Sequence, residues 1–217
     1  MKLPLENRTE AGRALAELLS REPTGDVVVL ALPRGGVPVG WEIAKALNAP
    51  LDILLVRKLG VPGQPELAAG AIASGGIRVL NQDLIDALGI TQAQLERTAA
   101  QEQAELERRE RVYRGDRPWP PVTGRRIILV DDGVATGATI RAGIAALRQQ
   151  HPESIVLAVP VAPPDTLARL ATEADQVVCL ATPTPFRAIG QWYEDFHQVT
   201  DEEVTELLES SRREDRP

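Results

Sequence analysis

Residues 127–139 read IILVDDGVATGAT, and the rest of the chain is best understood outward from this stretch. Ile127–Val130 form a short apolar run typical of a strand that is buried on both faces. Two consecutive acids, Asp131 and Asp132, end that strand, and a loop of small residues follows. The next residues, 140–149, have the pattern of a helix. The predicted order is therefore strand, acidic pair, small-residue loop and helix.

The small-residue loop, Gly133–Thr139, has the features of a phosphate site. It can present backbone N–H groups and the hydroxyls of Thr136 and Thr139 at the positive end of a helix. Gly137 would let the backbone approach a ligand closely. The two acids would repel a phosphate, but they suit hydroxyl groups or a hydrated Mg²⁺ beside it. A phosphate next to a diol is the description of a ribose 5-phosphate.

Two common phosphate-binding loops do not match this segment. The dinucleotide fingerprint needs G-x-G-x-x-G, which the spacing of Gly133 and Gly137 does not give. The Walker A loop needs a lysine after its last glycine, where this chain has Ala138. The alternative is an ordinary strand-to-helix turn with a polar cap. It would leave two acids unpaired at the end of a buried strand, and burial of unpaired charge costs free energy.

A second strand, loop and helix precede the motif. Val27–Leu32 is a strongly apolar strand, and it breaks into Pro33-Arg34-Gly35-Gly36 before a helix predicted over 38–48. Arg34 and the adjacent backbone N–H groups could hold a multiply charged anion. The alternative is an ordinary turn with a surface arginine, and this segment alone does not decide between the two.

A third segment combines cations with a glycine-rich stretch. Leu51–Val56 is predicted as a strand, and Arg57 and Lys58 follow it. Residues 61–76, VPGQPELAAGAIASGG, are predicted as a flexible lid with weak strands over 67–73 and 77–80. Cations at this position suit a leaving diphosphate, which favours a site over the alternative of two surface charges.

Strand and helix patterns alternate from Val27 to Leu180, which predicts a doubly wound parallel α/β sheet with its site at the carboxyl ends of the strands. We expect a single domain over 1–217, with a core over about 27–180. An insertion over about 59–122 contains a long charged helix, 91–114, capped by Thr91 and Gln94. That helix is expected to be a solvated element or a dimer contact.

The chain ends in an aromatic tail, which we define as Thr182–Val199. Its rings, Phe186, Trp192, Tyr193 and Phe196, are four of the seven aromatic residues in the chain. They could stack on a flat ligand, since a base on an aromatic ring gains ~1–3 kcal/mol. They could equally pin the tail to the domain. A closing helix is predicted over 201–209.

Composition limits the function classes. The net charge of −7 argues against broad nucleic-acid binding. The single cysteine, Cys179, lies in an apolar run and is expected to be an inert buried thiol. His151 and His197 make no metal-ligand pattern. The sequence has no apolar stretch of bilayer length and no signal-peptide pattern at its start, so a cytoplasmic location is expected.

The stretch IILVDDGVATGAT closely resembles the 5-phosphoribosyl-1-diphosphate (PRPP) motif of type I phosphoribosyltransferases. The resemblance extends over about 27–180. It implies that the acids contact the ribose hydroxyls and that the loop binds the 5-phosphate. Pro33–Gly36 is similar to the family's diphosphate loop, with a cis peptide near Pro33–Arg34, and Arg57-Lys58 to the base of its mobile loop. Ala135 departs from the usual Thr-Thr-Gly and removes one hydroxyl donor.

This resemblance implies transfer of ribose 5-phosphate from PRPP to a nitrogen acceptor, expected to be a nucleobase, with release of diphosphate and with Mg²⁺ as cofactor. The implied catalytic residues are Asp131, Asp132 and Lys58, and the two acids would also meet the metal through water or PRPP. The implied 5-phosphate residues are Ala135, Thr136, Gly137, Ala138 and Thr139. The implied diphosphate residues are Arg34, Gly35, Gly36, Arg57 and Lys58. A hood over about 182–210 would cover the acceptor, with Phe186, Trp192 and Tyr193 as candidates.

Several alternatives stay open at this point. The chain could be a non-catalytic PRPP sensor, or a nucleotide-binding fold for a different phosphate ester. Adenine, hypoxanthine, guanine, xanthine, uracil and orotate all remain candidate acceptors. A homodimer is also left open.

Overall fold

The structure is a computed structural model that describes residues 2–21, 25–61 and 64–214. The strands are β1 (Val27–Ala31), β2 (Leu51–Ile53), β3 (Val56–Val61), β4 (Gln64–Ala73), β5 (Ile77–Leu80), β6 (Arg126–Val130), β7 (Ser154–Val161) and β8 (Gln176–Ala181). The centre of the structure is a five-stranded parallel sheet with the strand order β2-β1-β6-β7-β8. The parallel α/β sheet predicted from the alternating pattern is confirmed.

Helices cover both faces of this sheet. They are α1 (Arg8–Leu19), α2 (Gly36–Leu47), α3 (Gln82–Leu88), α4 (Gln92–Arg114), α5 (Ala138–Arg148), α6 (Pro164–Leu170) and α7 (Asp201–Glu214), with a short 3₁₀ helix at Ile189–Trp192. Alternate residues of β1 point to opposite faces, so Val29 packs in the cluster of α1, α2 and α7, whereas Leu30 packs in the cluster of α5 and α6. The doubly wound arrangement follows from this two-sided burial.

The segment after β2 differs from the prediction. The predicted strand Leu51–Val56 is two strands, because the chain leaves the parallel sheet after Ile53 and β3 starts a separate antiparallel sheet, β3-β4-β5. Leu55 marks the change: its N–H donates to the buried Ser74 hydroxyl at 3.0 Å, and its carbonyl accepts from the Ser74 N–H at 2.9 Å. Most of the stretch predicted as a lid, 61–76, is therefore paired strand, while residues 62–63 lie outside the described residues.

The insertion helix α4 begins at the predicted capping box of Thr91 and Gln94. Its sparse apolar stripe, which includes Leu106, is buried against the core, so the helix packs on the domain along one side. The carboxyl end of α4 is fixed by Arg114, which is 4% exposed, ion-pairs with Asp52 at 3.2 Å and donates to the Ile53 carbonyl at 3.1 Å. The helix α3 was not predicted from the sequence.

The two ends of the chain hold each other. Leu5 donates its N–H to the Trp192 carbonyl at 2.7 Å and accepts from the Glu194 N–H at 2.7 Å. Helix α7 then packs back on α2, α4 and β2, and it continues to Glu214, past the predicted end at Glu209. None of the helices within the described residues has the length and apolar character needed to cross a bilayer.

Candidate active site

The motif loop, Gly133–Thr139, leads from β6 into the amino end of α5. Gly137 precedes the helix with φ +77°, a conformation that favours glycine. Thr136, Ala138 and Thr139 are exposed around it, so the first turn of the helix lies at the surface, with a long contact of 3.5 Å from the Ala138 N–H to the Thr136 hydroxyl. This is the geometry of an anion site at a helix amino terminus.

The basic loop, Pro33–Gly36, lies directly against the acidic pair. Because β1 and β6 are neighbours, their carboxyl ends meet, and the Leu32 N–H donates to the Val130 carbonyl at 2.8 Å. A Cβ added to Gly35 would lie 2.0 Å from Oδ2 of Asp132, so only glycine fits there. The Pro33–Arg34 peptide is cis, as the family resemblance implies. The structure thus brings the motif loop and the basic loop together.

The two acids differ in their surroundings. Asp131 is partly accessible to solvent, and its Oδ1 accepts the Asp132 N–H at 2.9 Å. Asp132 is buried and ion-pairs with the Arg8 Nε at 2.8 Å. Burial, followed by the charge of Asp132, holds the pKa of Asp131 well above its usual range. Burial also raises the pKa of Asp132, against the opposing effect of the Arg8 guanidinium.

The predicted cations lie in three different places. Arg34 lines a cavity of about 250 Å³ with Arg109, Tyr113 and Asp201, and its Nη1 is 3.8 Å from the Asp201 carboxylate. Tyr113 donates its hydroxyl to the same carboxylate, and burial followed by that hydrogen bond raises the pKa of Tyr113 to about 12. The Arg34 side chain is therefore engaged with α4 and α7.

Arg57 and Lys58 lie on opposite faces of β3, as neighbours in a strand do. Arg57 turns to α4, where its Nη2 is 2.6 Å from the Glu102 carboxylate. Lys58 lines a groove of about 330 Å³ together with Ala138 and Arg141 at the start of α5. Of this pair, Lys58 is therefore the residue beside the predicted phosphate loop.

Thr166 is a residue of the site that the sequence did not reveal. It lies in α6 and is 5% exposed, and its hydroxyl donates to the Ala135 carbonyl at 3.0 Å. Its methyl group would be 3.1 Å from a Cβ on Gly137. Thr166 therefore packs against the motif loop and holds it by a hydrogen bond. The sequence gives no sign of this contact, because a single threonine in a short helix is not a recognisable pattern.

The rings of the aromatic tail are largely used in packing. Tyr193 is 5% exposed, packs with Leu5 and Val161, and donates its hydroxyl to the Asp132 carbonyl at 2.6 Å. Phe186 and Trp192 are partly buried and their ring centroids lie 6.1 Å apart. The tail also reaches the motif loop, because a Cβ on Gly133 would lie 2.6 Å from Ile189.

The chain matches a known family. The family model for the phosphoribosyl transferase domain matches residues 4–191. The chain belongs to this family. Rv0571c from Mycobacterium tuberculosis, which carries a provisional phosphoribosyl transferase name, is 49% identical over 213 residues, or 98% of this chain and 48% of that protein. The chain therefore spans about half the length of the curated relatives that it matches.

A solved structure is also similar to this chain, over most of the length of both. The crystal structure of TT1426 from Thermus thermophilus has a TM-score of 0.86 and 45% sequence identity, and the match covers 94% of this chain and 97% of that one. The fold of a family member is thus seen in an experimental structure.

The residues present fit a Mg²⁺ ion that shares its ligands with a substrate. Among residues 2–21, 25–61 and 64–214, no group of three or more His, Cys, Asp or Glu side chains could hold a metal ion alone. Mg²⁺ often needs only one or two carboxylates, with water and substrate phosphates completing its shell. Asp131 offers an accessible carboxylate for this purpose, whereas one oxygen of Asp132 is taken by Arg8.

Proposed function

We propose that the chain transfers the ribose 5-phosphate group of PRPP to a nitrogen acceptor, expected to be a nucleobase, and releases diphosphate. The observation that carries this proposal is the contact between the two loops, in which Gly35 lies against the carboxylate of Asp132. In this proposal the amino end of α5, the acidic pair and the basic loop line one cleft that binds PRPP. PRPP contains the matching groups in the matching order: a 5-phosphate, ribose hydroxyls and a diphosphate.

In this mechanism charge placement lowers the barrier, because positive charge develops on the ribose as diphosphate leaves. The backbone N–H groups of the motif loop and the Thr136 and Thr139 hydroxyls would hold the 5-phosphate. Asp131 and Asp132 would orient the ribose hydroxyls, and the Gly35 N–H would face the diphosphate, since the Gly36 N–H already donates to the Leu32 carbonyl at 3.0 Å. Mg²⁺, when bound near Asp131, would neutralise part of the diphosphate charge.

The predicted cations are assigned different tasks in the proposal. Lys58, beside Ala138, is placed to meet a phosphate group. Arg57 is hydrogen-bonded to Glu102, so it would need to exchange its partner to reach the diphosphate. Arg34 lies 3.8 Å from the Asp201 carboxylate without a hydrogen bond to it, so it would need only to turn towards the diphosphate. The acceptor would lie beneath the aromatic tail where Ile189 meets Gly133.

Diphosphate release tests this function. The purified chain is incubated with Mg²⁺, PRPP and, one at a time, adenine, hypoxanthine, guanine, xanthine, uracil or orotate. We expect turnover with at least one acceptor. Binding of Mg·PRPP without diphosphate release in the presence of any of these acceptors would favour the rival function, a PRPP sensor. No binding of PRPP at millimolar concentration would contradict both functions.

A cytoplasmic location stays a prediction from the sequence.

A further inference from the structure

Arg8 is an unusual arginine for its position. It is the first residue of α1, where its charge faces the positive end of the helix dipole, and it is only 7% exposed. Arg13, further along the same helix, is mostly exposed and pairs with Glu10 and Glu42. A buried cation at an unfavourable helix position needs a specific partner to be retained.

The guanidinium of Arg8 makes three contacts, one with the acidic pair and two with the aromatic tail. Its Nε donates to Oδ2 of Asp132 at 2.8 Å, and its Nη1 donates to the His197 carbonyl at 2.8 Å. Its central carbon lies 3.9 Å from the ring centroid of Phe196, a cation–π distance. The planar fork of arginine can serve all of these directions together, which a lysine ammonium on a flexible stem cannot.

Two further contacts restrain Asp132, one at its side chain and one at its backbone. Its Oδ2 lies against Gly35, where a Cβ would be 2.0 Å away, and its backbone carbonyl accepts the Tyr193 hydroxyl at 2.6 Å. These contacts fix both the backbone and the side chain of Asp132. Arg8 is the only described cation whose ion pair with Asp132 falls within 4.0 Å.

Attaching α1 to the tail does not require this ion pair. The Leu5 and Trp192 backbones already bond, as do Glu6 and Asp195, and the buried face of α1 packs on the core. A buried ion pair is also weak evidence for added stability, because desolvation of both charges opposes it. A role in orienting Asp132 explains why Arg8 reaches the site.

We propose that Arg8 is a positioning residue that fixes the Asp132 carboxylate for a ribose hydroxyl of PRPP. By binding Oδ2, Arg8 leaves Oδ1 as the oxygen offered to the ribose. The inference rests on the proposed function, since it takes Asp132 as a ribose contact. It adds that α1 and the aromatic tail, through Arg8, set the orientation of an acid in the cleft.

Binding of Mg·PRPP to matched variants tests this role. The dissociation constant is measured by calorimetry for Arg8→Met, Arg8→Lys and the control Arg13→Met, at a temperature where each is folded by circular dichroism. We expect Arg8→Met to weaken binding by about tenfold or more, because a misplaced group loses its contact. Arg8→Lys should fall between Arg8→Met and wild type, and Arg13→Met should stay within about twofold of wild type.

A double-mutant cycle separates orientation from a general charge effect. If Arg8 acts through Asp132, Arg8→Met should weaken PRPP binding in the wild-type background and have little further effect in Asp132→Asn. Equal losses in both backgrounds would overturn the proposal, as would wild-type affinity in Arg8→Met.

A crystal structure of Arg8→Met gives a readout that does not need PRPP. The carboxylate of Asp132 should leave its contact with Gly35, and an unmoved carboxylate would overturn the positioning role. If wild type fails to bind Mg·PRPP, the proposed function fails together with the ribose contact, while this structure still decides whether Arg8 orients the acid.

Discussion

The motif loop and the aromatic tail use their side chains in opposite ways. In the motif loop the side chains of Thr136 and Thr139 are exposed, so their hydroxyls are open to solvent. In the aromatic tail Tyr193 is buried and its hydroxyl is bonded to the Asp132 carbonyl. The first region leaves its hydroxyls open to solvent, whereas the second uses a hydroxyl to hold the backbone beside the first.

This difference shows that a residue's chemistry alone does not indicate its role. Threonines at an open helix terminus keep their hydrogen-bonding capacity for a ligand, whereas a phenol that has found a carbonyl within the fold has already used its donor. The comparison predicts that changes in the tail act first on stability, and that changes in the motif act first on binding and turnover.

The largest effect is expected for Tyr193→Ala. Removal of this buried ring should cost about 3 kcal/mol or more in the free energy of unfolding, because it leaves a cavity beside Leu5 and Val161. Tyr193→Phe keeps the ring and should cost only about 1 kcal/mol, the typical value of one hydrogen bond. Denaturant unfolding measures both. A selective rise in the acceptor KM with unchanged stability would instead place Tyr193 in the acceptor pocket.

The acidic pair is expected to show the opposite pattern. Asp131→Asn combined with Asp132→Asn keeps side-chain volume and leaves an amide oxygen at position 132 that can still accept from Arg8, so the fold should persist, while turnover should fall by about 100-fold or more. Asp116→Asn, in the exposed turn after α4, is the control and should match wild type. Diphosphate release and circular dichroism are measured on the same samples. A folded double variant with wild-type turnover would show that the acids are structural.

A smaller effect is expected for Gly35→Ala, which adds one methyl group between the two loops. The new Cβ would be 2.0 Å from Asp132, so either the carboxylate or the loop must shift. We expect the dissociation constant of Mg·PRPP to rise by about tenfold. Gly25→Ala is the matched control, because its Cβ would meet nothing within 4 Å. Equal affinities in the two variants would contradict the contact between the loops.

The smallest expected effect is a pH-dependent change in the melting temperature. The pKa of Asp131 is raised by burial, so its ionised form destabilises the fold above its unfolded pKa of about 4. Asp131→Asn should raise the melting temperature of the ligand-free protein at pH 7.5, and the gain should shrink as pH falls towards about 4. A gain that does not change with pH would contradict this account.

Asp175→Asn provides a control of opposite sign. The hydrogen bond from Arg148 lowers the pKa of Asp175, so the ionised form stabilises the fold. That stabilisation is present above the unfolded pKa and is lost as pH falls through the folded pKa. Asp175→Asn should therefore lower the melting temperature at pH 7.5 and have less effect in acid.

The sequence predicted the parts of the molecule that rest on local patterns. The strand Ile127–Val130 and the loop after it were recognisable because burial on both faces and a helix terminus each leave a short signature. The break after Ile53 was not, since the apolar run 53–56 continues across it, and the pairing of Leu55 with Ser74 that marks the change is a contact between distant residues.

Contacts between distant residues also escaped prediction. Arg8 and Asp132 are 124 positions apart, and Thr166 and Ala135 are 31 apart, so no local pattern links them. The role of the tail rings was left undecided for the same reason. Whether a ring packs or stacks depends on what the fold places beside it.

A crystal structure of the chain with Mg·PRPP tests the central claim most directly, namely that the motif loop and the basic loop form one PRPP site. The 5-phosphate should lie at the amino end of α5, bonded to the backbone N–H groups of the motif loop. The ribose hydroxyls should face Asp131 and Asp132, and the diphosphate should reach Gly35 and Gly36. A phosphate bound elsewhere, or no bound PRPP at millimolar concentration, would contradict the account.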